Sequence, residues 1–253
     1  MEVMNHSTEE VMEVCLLAGK IMLQSGAETY RVEDTMTRMA AAFGIRQSHS
    51  YVTPTGIIFS AEGTGPTRTK LIRISERSTD LKKVTVVNSI SRSISSFEID
   101  LLEAKQLLKD VDLQNLTFPF SVQVAAAAIA SGCFLIMFNG TWNDFLPSVI
   151  AGGFGFLGLV YFHRFLPIKF FSEFLASFII GFLSALFVKL GVGQELDKII
   201  IASVMPLVPG LLITNAVRDL MAGHLVSGLS KGAEAFLTAF AIGSGIAVVL
   251  SFL

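Results

Sequence analysis

The chain has 253 residues, 52% of them hydrophobic and only 16% charged, with a mean hydropathy of +0.62. Soluble domains carry about 25% charged residues, so an ordinary soluble enzyme does not fit. Residues 1–115 hold 13 Lys/Arg and 15 Asp/Glu, whereas residues 116–253 hold six of each. Neither part offers the basic surface needed to neutralise nucleic-acid phosphates, which excludes a nucleic-acid partner. The uneven split divides the chain into a charge-rich domain, 1–115, and a charge-poor domain, 116–253, of the composition expected in hydrocarbon.

The first ten residues are acidic and lack the basic start and apolar run of a signal peptide, which leaves the charge-rich domain in the cytoplasm. Ser7-Thr-Glu-Glu10 forms a capping box, so a helix is predicted over 8–25, with Gly26 as its stop. A second amphipathic helix over 28–43 has Val32, Thr35, Met36, Met39 and Phe43 on one face and Gly44 at its end. Short β-rich runs at 48–53, 55–61 and 69–75 predict three strands, separated by Pro54 and by Glu62-Gly-Thr-Gly-Pro66. Helices follow over 80–95, with Leu81, Val84, Val87, Asn88 and Ser91 on one side, and over 99–111. The fold class is therefore an α+β cytoplasmic domain with helices on one side of a small sheet. It is followed by an all-α polytopic membrane domain.

That membrane domain contains five apolar stretches, at 118–138, 145–162, 168–190, 199–217 and 233–253. Each reaches or approaches the roughly 20 residues needed to cross a bilayer. An odd number of transmembrane helices puts the two ends on opposite sides. His163, Arg164, Lys169, Arg218 and Lys231 fall in loops on the side of residues 1–115, while Asn139-Gly-Thr-Trp-Asn143 has no Lys or Arg. The count predicts a multi-pass plasma-membrane protein with the N-terminus cytoplasmic and the C-terminus outside. In the second stretch Ala151, Gly152, Gly153, Gly155 and Gly158 form a groove for close helix packing, a pattern that Gly243 and Ala247 repeat in the fifth. Cys15 and Cys133 are read as packing residues, with neither a disulfide framework nor a zinc set.

Met205-Pro-Leu-Val-Pro-Gly210 interrupts the fourth stretch, because Pro206 and Pro209 each remove a backbone donor and crowd the preceding turn. Two readings stand: a packing kink, or a broken helix whose free amides receive a substrate carboxylate. Asn215, Asp219, His224 and Glu234 follow it, and with Pro206, Pro209 and Gly210 they make up the candidate substrate pathway. Arg218 is read as a headgroup contact, and the depths of Glu173 and Glu234 stay open.

In the charge-rich domain the candidate polar cluster is Glu28, Arg31, Glu33 and Asp34 with Thr53, Thr55, Arg77 and Asp80. Glu28, Arg31 and Asp34 recur at i, i+3 spacing, which also suits simple ion pairs on a solvated helix. Arg73, Arg77 and Asp80 could face the Thr53 turn once the chain folds back. No Ser/His/Asp order or metal-ligand pair emerges, and the 62–66 turn lacks the Lys-Ser/Thr ending of a nucleotide loop. We therefore expect no catalytic residues, no metal and no cofactor.

Ser25-Gly-Ala-Glu-Thr-Tyr-Arg-Val-Glu-Asp-Thr35, Val52-Thr-Pro-Thr-Gly56, Arg77-Ser-Thr-Asp80 with Val87-Asn88, and Pro206-Leu-Val-Pro-Gly210 occur in this order. Together they resemble the threonine/serine exporter family over almost the whole chain. The resemblance implies a cytoplasmic α+β domain joined to about ten spans, carried on one polypeptide or divided between two. This chain resembles the larger polypeptide of the divided form. It implies a proton-driven secondary exporter of threonine, serine or a similar small amino acid. A second small membrane subunit of the same family, or self-assembly into a homo-oligomer, would complete it. The divided form is also associated with export of dicarboxylates such as succinate. A membrane-anchored hydrolase built on Glu28, Arg31, Glu33, Thr53, Thr55 and Asp80 is the rival reading, and a scaffold or sensor subunit is a third.

Overall fold

The computed structural model describes residues 7–45, 47–63, 66–165, 168 and 170–252. The acidic lead before Ser7, Thr64 and Gly65 of the 62–66 turn, the loop charge Lys169 and the terminal Leu253 lie outside the described residues. By contacts the chain forms two compact units. Unit 1 comprises Met1–Thr117 together with Leu211–Gly232, and unit 2 comprises Phe118–Gly210 together with Ala233–Leu253.

Unit 1 begins with α1 (Thr8–Gln24), whose Ser7 hydroxyl accepts from the Glu10 amide while the Glu10 carboxylate accepts from the Ser7 amide, the reciprocal cap expected from the sequence. The helix ends in a Schellman turn: the Ala27 amide donates to Met22 O at 3.0 Å, and Gly26 sits at φ 92°, a conformation that costs glycine nothing. α2 (Thr29–Ala42) then runs back with Val32, Thr35, Met36, Met39 and Ala40 buried. Gly19 gives α1 a flat spot against which the Met36 and Ile57 side chains pack.

β1 (Gln47–Thr53), β2 (Gly56–Glu62) and β3 (Arg68–Arg73) form an antiparallel sheet in the order β1-β2-β3, with Val52 opposite Ile57 and Phe59 opposite Lys70. Period-2 alternation buries Val52, Ile57, Phe59 and Ala61, and these join the α1 and α2 side chains in one core. α3 (Leu81–Ser95) and α4 (Leu101–Leu113) are capped by Asp80 and Asp100, whose carboxylates accept from the Lys83 and Glu103 amides. The buried side of α3 is Val84, Val87, Ile90, Ser91 and Ile94. Leu81, expected on that face, is exposed, because as the first helical residue it lies beyond the edge of the core.

In unit 2, α5 (Phe120–Met137), α6 (Phe145–Phe165) and α7 (Phe171–Lys189) are joined by α8 (Leu196–Val204) and by most of α10 (Leu225–Leu250). α5, α7, α10 and the stretch Trp142–Phe165 are long and apolar enough to cross a membrane. A fifth span is reached by counting the bent pair of Leu196–Leu207 and α9 (Gly210–Met221), which meet at 63°. The small residues of α6 are all buried; a Cβ on Gly152 would fall on Ser131 of α5, and one on Gly155 on Ile180 of α7. In α10 the expected pair is corrected. Gly243 has nothing within 4 Å and Ala247 is exposed, and the packing glycine is Gly245, whose hydrogens face Phe174 and Ser177 of α7. Cys15 is buried as expected, but Cys133 is exposed on α5 and so is not a packing residue. Asp144, fully buried, accepts from the Gln194 amide at 2.6 Å and the Glu195 amide at 3.3 Å, satisfying donors just ahead of α8, and from the Thr141 hydroxyl at 2.8 Å.

Candidate functional site

The fourth apolar stretch breaks at its prolines. α8 gives way to a 3₁₀ turn at Met205–Leu207, Val208 is extended (φ −62°, ψ 130°), and α9 restarts at Gly210. α9 carries Asn215 and, one turn further on, Arg218 and Asp219. It ends in another Schellman turn, in which Gly223 adopts φ 87° and the His224 amide donates to Asp219 O at 2.9 Å. The chain then reverses into α10. This helix begins eight residues before the stretch expected to start at Ala233, so Glu234 lies in its third turn and is half-buried. Glu173 is the third residue of α7 and lies 3.3 Å from His163 Nε2.

Within unit 1, this α9–α10 hairpin meets the α1–α2 turn in a polar knot. Asp219 is completely buried and its carboxylate accepts four hydrogen bonds. Oδ1 takes the Thr29 amide at 3.0 Å; Oδ2 takes the Thr29 hydroxyl at 2.8 Å, the Ser227 hydroxyl at 3.0 Å and Lys231 Nζ at 2.7 Å. Lys231 is itself buried and also donates to Thr29 Oγ1 at 3.2 Å. An isolated charge in such a place would cost several kcal/mol, so the ammonium and carboxylate tolerate burial only as a hydrogen-bonded pair. Around them Asn215 Nδ2 donates to Gly26 O at 2.9 Å, and Arg218 Nη1 donates to Glu28 Oε1 at 2.5 Å. The Glu33 carboxylate accepts from the Val52 amide at 2.8 Å and stands 3.8 Å from His224 Nδ1.

The two glutamates titrate in opposite directions. Burial works against the Glu28 carboxylate, but its own backbone amide, the Arg218 guanidinium and the nearby Arg31 outweigh it and hold the pKa below the usual value of 4.5. Burial of Glu33 pushes its pKa above 4.5; the Val52 amide and His224 pull it partly back, and the Asp219 charge adds to the rise.

The structure thus brings Asn215, Asp219 and His224 together with Glu28 and Glu33. It disperses the remaining cluster residues. Arg31 pairs with Glu28 at 3.6 Å and Asp34 with Arg38, both along α2. Thr53 and Thr55 line a hollow of about 150 Å³ beside Arg73 on the open sheet face, where Thr53 Oγ1 donates to Gly56 O. Asp80 caps α3, and Arg77 borders a different cleft. Thr29, Ser227 and Lys231 were missed by sequence reasoning. Lys231 was counted only as a loop charge, although a basic residue in a half with six acids and six bases invites a search for its partner. Among the described residues no three His, Cys, Asp or Glu side chains gather as metal ligands.

The model of the family described as "Putative threonine/serine exporter" matches residues 13–253. The chain belongs to this threonine/serine exporter family of membrane transporters. It is 27% identical over 247 residues to a Klebsiella aerogenes protein named "Probable succinate transporter subunit YjjP", covering 95% of this chain and 93% of that one. It is 25% identical to the "Probable threonine/serine exporter" of Mycobacterium tuberculosis, over 92% of this chain but 44% of the relative. To the "Threonine/serine exporter" of Corynebacterium glutamicum it is 21% identical, over 93% of this chain and 50% of the relative. No solved structure matches.

Proposed function

We propose that the chain is one subunit of a two-polypeptide, proton-coupled exporter that carries small carboxylate-bearing metabolites out of the cytoplasm, with threonine and serine as substrates. The observation that carries this reading is the pattern of lengths. Relatives matched from end to end are named as transporter subunits, whereas relatives named as exporters are about twice as long. A partner supplying the other half of the pathway accounts for both. Succinate is the second reading, favoured by the name of the end-to-end relatives.

In this proposal residues 1–115 face the cytoplasm and the C-terminus lies outside. The substrate carboxylate rests at the break formed by Pro206, Pro209 and Gly210, where the start of α9 offers a positive dipole end. Asn215, Asp219, His224 and Glu234 border the path, and Asp219 with Lys231 controls access by holding α9 against the Gly26 turn. Buried ionisable groups in transport proteins mark pathways because their burial has to be compensated by function or pairing.

The test is efflux from cells that lack their own exporters, loaded with a threonine dipeptide or with succinate. These cells express the chain with and without the small membrane protein encoded beside it. Threonine efflux that requires both proteins supports the proposal, and succinate efflux under the same rule selects the second reading. No efflux of either solute, with both proteins confirmed in the membrane, refutes it.

A further inference from the structure

Away from the Asp219 knot, unit 1 contains a second polar cavity that none of the transport reasoning uses. It is a cleft of about 260 Å³ between the end of α1, the 76–78 segment, the start of α3 and the end of α4. Its charged lining is balanced: Arg77 and Lys83 supply two cations, Glu76 and Asp112 two anions. Gln24 and Ser25 add neutral hydrogen-bonding groups beside the apolar wall of Ile21. The volume is below the range typical of drug-sized ligands, which suits a metabolite of a few heavy atoms.

The walls are fixed before any ligand arrives. The Ser78 amide donates to Gln24 O at 2.8 Å and the Asp80 amide to Ser25 O at 3.1 Å, tying the extended segment to the end of α1. Lys83 Nζ donates to Asp112 O at 3.0 Å, while Lys20 Nζ donates to Asp112 Oδ2 at 3.0 Å. Preorganised walls reduce the entropy lost on binding. A lining that carries both signs favours a ligand with both signs, and its two carboxylates repel a second negative group.

We propose that this cleft binds a free α-amino acid. The carboxylate of the ligand pairs with Arg77 and Lys83, and its ammonium with Glu76 and Asp112. The site is distinct from the helix break and does not depend on the transport reading, since it requires only that unit 1 meet free amino acids.

The experiment uses the full chain in detergent, with Cys133→Ser removing the exposed thiol and Ser78→Cys placing one in the cleft wall; Cys15 stays buried. The rate of maleimide alkylation is measured against L-threonine, L-serine, L-glutamate, L-leucine and succinate. At least one of the amino acids is expected to slow alkylation about tenfold at saturation, and succinate at equal concentration is expected not to. Arg77→Gln should raise the half-protecting concentration at least about tenfold, the usual scale for losing a hydrogen bond to a charged group. Protection by none of the four amino acids, equal protection by succinate, or protection that survives Arg77→Gln combined with Glu76→Gln overturns the proposal. If Ser78→Cys does not accumulate, radiolabelled threonine, serine, glutamate and leucine binding to the full chain is compared with Arg77→Gln. A shift of at least tenfold supports the site, and unchanged or absent binding overturns it.

Discussion

The Asp219–Lys231 pair allows a quantitative test of what holds the α9–α10 hairpin in unit 1. Asp219→Asn keeps the size of the side chain and removes its charge. The Thr29 and Ser227 hydroxyls can turn to accept from the new amide, but Lys231, whose side chain is 4% exposed, is left without an anion. Removing one partner of a buried pair costs about 3–5 kcal/mol, and we expect the lower end because the hydroxyls adapt. Lys231→Met should cost about the same, by stranding the carboxylate. In Asp219→Asn with Lys231→Met no buried charge remains, so the double variant should cost about 3 kcal/mol or less rather than the sum of the two, a coupling of at least about 3 kcal/mol. Hydrogen exchange followed by mass spectrometry on the full chain reads this locally. A loss of 3 kcal/mol corresponds to roughly 10²-fold faster exchange where it reports opening of the hairpin, so peptides covering 26–33 and 211–232 should accelerate together. The apolar helices of unit 2 should keep the protein in membranes. Costs below about 1 kcal/mol, or costs that add in the double variant, would refute a mutually dependent buried pair.

Glu33→Gln should stabilise unit 1 at neutral pH. The raised pKa means that the ionised carboxylate is disfavoured in the folded state, so stability from Glu33 is full below pH 4.5 and is lost as pH rises through the folded value. The advantage of Gln should therefore vanish in melts below pH 4.5, and an advantage that grows as pH falls contradicts the sign. Gly245→Ala should cost about 1–3 kcal/mol by overpacking, because a Cβ there falls on backbone of Phe174, while Gly243→Ala should leave the melting temperature unchanged. Burial pushes the Cys15 thiol up to about 12, so the Cys133→Ser protein should resist maleimide at pH 8 until it is unfolded. Prompt labelling of that variant would show that the α1 core opens.

Local signals carried most of the fold. The Ser7 box, the Gly26 and Gly44 stops and the alternation of β2 act within a few residues, and each is found where the sequence puts it. Failures came where neighbours outside the window decide. Lys231 reads as a charge in the loop between the fourth and fifth stretches, yet it lies in the second turn of α10, where Asp219 and Thr29 accept its hydrogen bonds. Choosing Gly243 rather than Gly245 is an error of two residues, about 200° around a helix, and nothing in an all-apolar segment sets that phase. The i, i+3 spacing of Glu28 and Arg31 does give an ion pair, but the shorter contact of Glu28 is to Arg218, 190 residues away. Composition placed the polar residues in two groups and could not show which of them meet.

The same separation sets an order of events during synthesis. Thr29 and Asp219 are 190 residues apart, and at about 5–20 residues per second a ribosome needs roughly 10 to 40 s to make the chain between them. For that interval the Gly26 carbonyl and the Thr29 amide have no Asn215 or Asp219 to bond. Three helices long and apolar enough to cross a membrane, α5, α6 and α7, must also be placed while they wait. The closing of unit 1 is thus a late step that reports completion of the helices before it, and a nascent chain stalled before residue 211 would display an open α1–α2 turn to any protease or chaperone that reads unfinished surfaces.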